Sequence, residues 1–208
     1  MFLIYNFLIY LLLLLSPIII IYRIIIGKED SSRFLERFCV YKKINIKNPL
    51  IWFHTASVGE MMSIIPVLKK LEKNKNIKKI LVTSTTTSSA NIFLKFKFKK
   101  IIHKYFPIDS NLNSKKFIKL WKPKVAIFVE SEIWPNTYKN LYLNNIPIIL
   151  LNARITKKTF KKWFLAKKFA KNIFSKISLA LPQNEETAKY LNYLGVKKIK
   201  ICGNLKYF

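Results

Sequence analysis

Residues 50–71 read LIWFHTASVGEMMSIIPVLKKL, and their grammar decides the fold. LIWFH (50–54) is short, aromatic and β-branched, and apolar without alternation, as a parallel strand buried on both faces is. HTASVGE (54–60) breaks the run with small and polar residues. EMMSIIPVLKKL then returns to apolar positions at helical spacing, closed by lysines. This is a strand, a tight loop and a helix.

The same unit recurs along the chain. KILVT (79–83), IHKYF (102–106), VAIFV (125–129), PIILL (147–151), ISLAL (177–181) and KIKIC (198–202) read as further strands. Segments 60–73, 86–98, 111–121, 136–144, 157–174 and 184–193 suit the helices between them. Strand–helix alternation of this kind predicts an α/β fold, a Rossmann-like doubly wound parallel sheet. Ligands of such sheets sit beyond the carboxyl ends of the strands. Five loops therefore become candidates: Thr55–Glu60, Thr83–Ser89, Glu130–Asn136, Asn152–Thr156 and Gly203–Phe208.

Two loops carry acids. Glu60 opens the helix after the first strand, where a carboxylate is stabilised by the helix dipole and free N–H groups. A plain capping role explains that position as well as a chemical one does. Ser57 and Gly59 suit the turn before it. Glu130 and Glu132, in VESEIWPN (129–136), flank Ser131 and share a face if the strand continues that far. With only 10 acids in 208 residues, two at one strand end are informative.

The N-terminus is a separate unit. From Met1 to Tyr22 no side chain is charged. Twenty-two helical residues at about 1.5 Å each reach roughly 33 Å, enough for a hydrocarbon core of about 30 Å. A cleaved signal would carry a basic start and small residues at its end; the first basic side chain here is Arg23. The expectation is an uncleaved anchor over residues 1–26, either crossing the bilayer or dipping into one leaflet with a kink at Pro17. Arg23, Lys28, Arg33, Arg37, Lys42 and Lys43 follow it, so the positive-inside rule places the remainder in the cytoplasm. These charges also suit anionic headgroups. A basic connector, 27–49, partly helical, leads to a domain over 50–208.

The net charge of +28 attracts polyanions in general. Only four of the 38 basic residues are Arg, and Ile, Asn, Phe and Tyr abound, a bias that fits A/T-rich coding. Charge alone therefore identifies no partner. A membrane-tethered nucleic-acid module would need an RNP-like string or a helix-turn-helix signal, and neither is present. The remaining arginines, Arg23, Arg33, Arg37 and Arg154, are the positions where lysine cannot copy a planar fork. Cys39 and Cys202 form no metal or disulfide pattern. His54 and His103 are isolated and read as structural.

Taken in order, HTASVGE, LVTSTTTSSA, FPIDS, WKPKVAIFVESEIWPN, LLNARITKKT, PQNEETAKYLNYLGV and GNLKYF resemble the 3-deoxy-D-manno-octulosonic acid (Kdo) transferases of lipopolysaccharide synthesis. The resemblance runs over essentially all of the chain, anchor and ERFCVY connector included. It implies the GT-B glycosyltransferase fold, two Rossmann-like domains with the active site between them, of which this chain is similar to the first. It implies an inverting transfer of Kdo from CMP-Kdo to a lipid A precursor at the cytoplasmic face of the inner membrane, without metal or other cofactor. Glu60 matches the general base, and Glu130 and Lys206 match positions that stabilise the transition state. Ser57, Gly59, Glu132, Asn152 and Arg154 match substrate-binding positions. Two departures are visible: Cys39 stands where the family's ERxG has glycine, and Phe208 stands where the family has Asp before its CMP-binding domain. The expectation is an acceptor-binding half, with a folded but inactive remnant as the alternative.

Overall fold

The computed structural model describes residues 1–41 and 50–205. Six strands, β1 (Leu50–Thr55), β2 (Ile80–Ser84), β3 (Ile101–Tyr105), β4 (Pro123–Val129), β5 (Ile148–Ala153) and β6 (Leu179–Pro182), form one sheet in the order β3-β2-β1-β4-β5-β6. Every neighbouring pair is parallel. Helices α2 (Val58–Lys73), α3 (Thr87–Leu94), α4 (Asn111–Trp121), α5 (Pro135–Leu143), α6 (Lys157–Leu165), α7 (Lys167–Phe174) and α8 (Glu185–Leu194) provide the crossovers.

Continuous hydrophobicity in the strands has its cause in two cores, one on each face of the sheet. In β1 the successive residues Trp52 and Phe53 point to opposite faces, as pleating requires. Trp52 packs with Phe117, Trp121, Phe128 and Tyr138 under α4 and α5, whereas Phe53 packs with Met61, Ile64, Leu68 and Val82 under α2.

Two expected elements change. KIKIC (198–202) is not a full strand: it touches the edge strand β6 through a single bridge, Ala180 to Ile199. Backbone hydrogen bonds still tie it to β6 at Ala180 and Pro182, but Ile201 stays 47% exposed, so the ladder has little apolar area to bury there. The 157–174 helix breaks at Ala166, whose φ/ψ of −108°/35° leaves the helical region. The break lets α7 bury Ala170, Ile173 and Phe174 while α6 stays on the surface with no buried residue.

The N-terminal apolar run is one helix, α1 (Phe2–Ile25), with Pro17 inside it, long and apolar enough to cross a membrane by length and composition. It lies along the body. Tyr5 donates to Asp109 at 2.7 Å, Asn6 accepts from Asn136 at 2.9 Å, Ser16 and Ile20 are buried, and Arg23 pairs with Glu29 at 3.3 Å. These positions recur at helical spacing, so one stripe faces the body from end to end. The other faces expose Leu3, Phe7, Leu14, Ile18 and Ile25.

The connector is pinned by arginine forks. Arg37, buried, donates to the Glu29 carboxylate at 3.0 Å and to the carbonyls of Phe106 (3.2 Å) and Thr85 (2.7 Å). Arg33 grips Glu36 at 2.9 Å and also donates to the His103 carbonyl. Three partners in different directions suit guanidinium and not ammonium. The short 3-10 turn Phe34–Phe38 ends on Cys39 at φ 59°, ψ 34°, a left-handed conformation that favours glycine. The Lys42 and Lys43 portion of the connector lies outside the described residues.

Candidate functional site

The strand order reverses direction between β1 and β4, and in an open parallel sheet this switch point opens a crevice at the carboxyl ends. The loops after those two strands are the ones that carry Glu60, Glu130 and Glu132. Sequence reasoning selected both loops; the strand order makes them neighbours.

Glu60 sits at the third position of α2. Ser57 is the N-cap, its Oγ accepting from the Glu60 N–H at 3.2 Å. In return the Glu60 carboxylate accepts from Ser57 Oγ at 3.0 Å and from the Ala56 N–H at 2.7 Å. This is a reciprocal capping arrangement, so the capping role is real. Gly59 lies within the first turn of α2, on its exposed side, and does not form the turn before it. The Ala56 carbonyl accepts from Thr85 Oγ1 at 2.9 Å, which locks the β1 loop to the β2 loop.

Capping does not exhaust Glu60. The residue is only 7% exposed, and burial pushes its carboxyl from the ordinary 4.5 up to about 7. The Ala56 N–H and Ser57 oppose the shift, while the neighbouring charges of Glu132 and Glu130 add to it. A carboxyl poised near neutrality accepts and releases a proton at working pH.

β4 stops at Val129, and Glu130 takes a positive φ of 56°. Glu130 and Glu132 therefore do not share a strand face; the turn between them brings both charges near Glu60. A non-glycine residue in this conformation costs of order 1–3 kcal/mol and persists where the surroundings demand it. Here the Glu130 N–H still reaches the Leu151 carbonyl at 2.9 Å. Glu132 is held in place: Trp134 Nε1 donates to it at 3.0 Å, and Tyr138 donates to its backbone carbonyl at 2.9 Å.

His54 was not among the candidates, and it belongs to this site. It is fully buried at the end of β1, with Nε2 3.3 Å from Glu132 Oε2. The approach is within ion-pair reach but is not aligned as a straight hydrogen bond. Nδ1 lies 2.9 Å from Thr83 Oγ1, which also accepts from Trp52 Nε1 at 2.9 Å. The only cue in sequence was His54 ending the central strand on the Trp52 face. His103, by contrast, is a packing residue between Ser84 and Arg33. Burial, with Arg33 next, lowers its pKa to about 3.

The remaining candidates lie further along the same edge. Asn152 is fully buried at φ 53°, its Oδ1 accepting from the Leu205 N–H at 3.1 Å and its carbonyl from Gln183 at 3.0 Å. It therefore ties the 203–205 segment to β5. Arg154 is exposed, and its carbonyl accepts from Ser131 Oγ at 2.8 Å. Lys206 lies outside the described residues. Among the described residues, no three of His, Cys, Asp and Glu gather to hold a metal ion.

Known proteins supply a frame for this geometry. Residues 32–208 match the family described as 3-deoxy-D-manno-octulosonic-acid transferase (kdotransferase). The chain is 39% identical to a 3-deoxy-D-manno-octulosonic acid transferase of Rickettsia bellii, over 98% of this chain and 48% of the relative. It is 30% identical to that of Haemophilus influenzae, over 95% and 48%. The chain thus spans about half the length of these relatives. Among solved structures, S. aureus MnaA with UDP superposes with a TM-score of 0.57 at 16% identity, over 76% of this chain and 46% of that one. The UDP-GlcNAc 2-epimerase of Neisseria meningitidis gives 0.55 at 13%, over 75% and 47%. At such identities these two speak for the fold alone.

Proposed function

Because this chain belongs to the Kdo transferase family, we propose that it is the acceptor-facing half of a glycosyltransferase moving Kdo from CMP-Kdo to a lipid A precursor. One observation carries the reading: a buried carboxyl raised to about 7 stands at the switch point of the sheet, beside two further carboxylates. In the proposed step an acceptor hydroxyl attacks the anomeric carbon of Kdo from the face opposite CMP. A new carbon–oxygen bond forms, the bond to the CMP phosphate breaks, and Glu60 takes the hydroxyl proton. The configuration inverts.

Glu60 is suited to this because it is half in demand already. Its two short hydrogen bonds fix the carboxylate direction, and its neighbours' charges make proton uptake favourable. Glu130 lends negative charge to an oxocarbenium-like transition state. We assign Lys206 to the opposite charge, that of the Kdo carboxylate or departing phosphate. Ser57, Gly59, Glu132 and Arg154 line the acceptor side, Glu132 doing so while braced by His54 and Trp134. Asn152 acts by holding the segment that leads to Lys206. The chemistry is read as free of metal and cofactor, CMP-Kdo being a substrate.

We place the protein at the cytoplasmic face of the inner membrane, attached through α1, with the basic flank against anionic headgroups. The body-facing stripe favours a helix lying along the interface over one crossing it, since its start touches the body and its end is clasped to the connector that Arg37 fastens to the body.

The test joins residues 1–208 to the donor-binding half of a two-domain relative and measures transfer from CMP-Kdo to an acylated disaccharide phosphate. Transfer that is lost in Glu60→Gln, with the fold intact, is the expected result. Undiminished transfer in that variant would leave Glu60 as a helix cap alone.

A further inference from the structure

Between α1 and the body lies a cleft of about 250 Å³. Polar clasps flank it on two sides. Tyr5 and Asp109 form one; Arg23, Glu29 and Arg37 form the other. Between the clasps the walls are apolar: Ile9, Leu12 and Ile20 from α1, and Phe106, Ile108 and Trp134 from the body. The gap opens at Ser16, a small residue in the middle of the body-facing stripe, whose hydroxyl bonds back to the Leu13 carbonyl. A larger apolar side chain at that position would occupy part of it.

Left unfilled, a cleft this size forfeits packing contacts along its lining. Apolar cavities of about 150 Å³ already take up small hydrocarbons. The cavity sits beneath a helix whose outer side exposes Leu14 (75%), Ile18 (70%) and Ile25 (77%), an apolar surround for its rim. Its inner wall is the catalytic edge itself. Trp134 lines the cavity and donates to Glu132; Thr85 lines it and holds the Ala56 carbonyl of the Glu60 loop.

We infer that the groove under α1 seats an acyl chain of the glycolipid acceptor, with its sugar end delivered to the Glu60 loop. The inference rests on the function proposed above and assigns α1 a share in substrate binding beyond attachment. Arg23, at the open end with its side chain 35% exposed, lies where a phosphate of such a lipid would pass.

The experiment reads Trp134 fluorescence in the chain held in phospholipid nanodiscs, with Trp134→Phe identifying its share of the emission. An acylated disaccharide phosphate brominated along its chains is added, and, separately, a chain-brominated phospholipid at equal mole fraction. The expected result is loss of the Trp134 emission with the disaccharide and little loss with the phospholipid. Ser16→Phe, which obstructs the middle of the gap, and Ile19→Phe, which narrows its half-exposed rim, should both restore the emission. Equal quenching by the two lipids would make the occupant bulk bilayer and overturn the assignment. Absence of quenching, or quenching indifferent to both filling variants, would overturn it too. The readout involves no sugar transfer, so Glu60→Gln should leave it unchanged; failure of the Glu60 role and failure of the groove are seen in different assays.

Discussion

The Tyr5 hydroxyl and the Asp109 carboxylate meet at 2.7 Å across 104 positions of sequence. Asp109 is fully buried, and it also accepts from the backbone N–H groups of Asn136 and Thr137 and from the Thr137 hydroxyl. Those two N–H groups belong to the first turn of α5, whose own N-cap, Trp134, offers no side-chain acceptor. Asp109 therefore caps one helix and fastens another.

Removing the two partners should cost unequally. Tyr5→Phe deletes one hydrogen bond, worth about 1 kcal/mol, or more where the acceptor is charged. Asp109→Ala orphans buried donors at about 1–3 kcal/mol each, so a loss on the order of 3 kcal/mol or more is expected. Urea unfolding of the two variants in the same detergent checks the order. Equal losses would show that Asp109 matters only to α1.

Glu60→Gln keeps the shape and removes the proposed base. General-base catalysis contributes about 10²- to 10⁴-fold, and turnover of the joined two-domain protein should fall by that order. Stability should move the other way. The folded carboxyl has its pKa raised from 4.5 to about 7. The native state then binds more protons than the unfolded one across that window, and the group's contribution declines as pH rises through it. The variant should gain relative to wild type between pH 4.5 and pH 7, by on the order of 1–2 kcal/mol after discounting for solvent. Parallel stability–pH curves for the two proteins would contradict the assignment.

Glu132→Gln removes one of the two negative neighbours that hold the Glu60 pKa up. The acidic limb of the pH–rate profile should shift to lower pH, with the fold retained because Gln still accepts from Trp134. His54→Phe, which keeps the ring and drops the Nε2 contact, should change rate without moving that limb in the same direction. Identical profiles in wild type and Glu132→Gln would mean that the carboxylates are not electrostatically coupled.

Cys39 adopts φ 59° at the end of the Phe34–Phe38 turn. A left-handed non-glycine residue costs roughly 1–2 kcal/mol, partly offset because glycine loses about 0.5–1 kcal/mol more chain entropy. Cys39→Gly should thus be neutral to stabilising by up to about 1 kcal/mol, whereas the β-branched Cys39→Val should destabilise by more than 1 kcal/mol. Thermal unfolding of the pair decides it; a clear loss in the glycine variant would assign the sulfur a packing role that outweighs the backbone.

Much of the molecule was written in local pattern. Short apolar runs marked all six strands, most plainly the central β1 and β2, which are buried on both faces, whereas burial alternates along β3 and β6. The Ser57–Glu60 cap was equally legible, being a relation of three positions along one chain. Edge behaviour was not: KIKIC has a strand's composition, but it pairs with β6 only through one bridge and a few backbone hydrogen bonds, with Ile201 left exposed.

What the sequence by itself determined is the set of elements and the loops in which polar groups wait at strand ends. Only the tertiary structure decided which loops face one another. Strand order is a property of crossovers, and it is the adjacency of β1 and β4 that sets Glu60 against Glu130 and Glu132 and brings in His54. The same holds for the anchor. Its apolar length is local, yet the direction it runs is fixed by Asp109 and Glu29, far along the chain or hidden in the connector. Proton affinity and docking both depend on what excludes water from a group, and that is settled by packing, which no local run of residues contains.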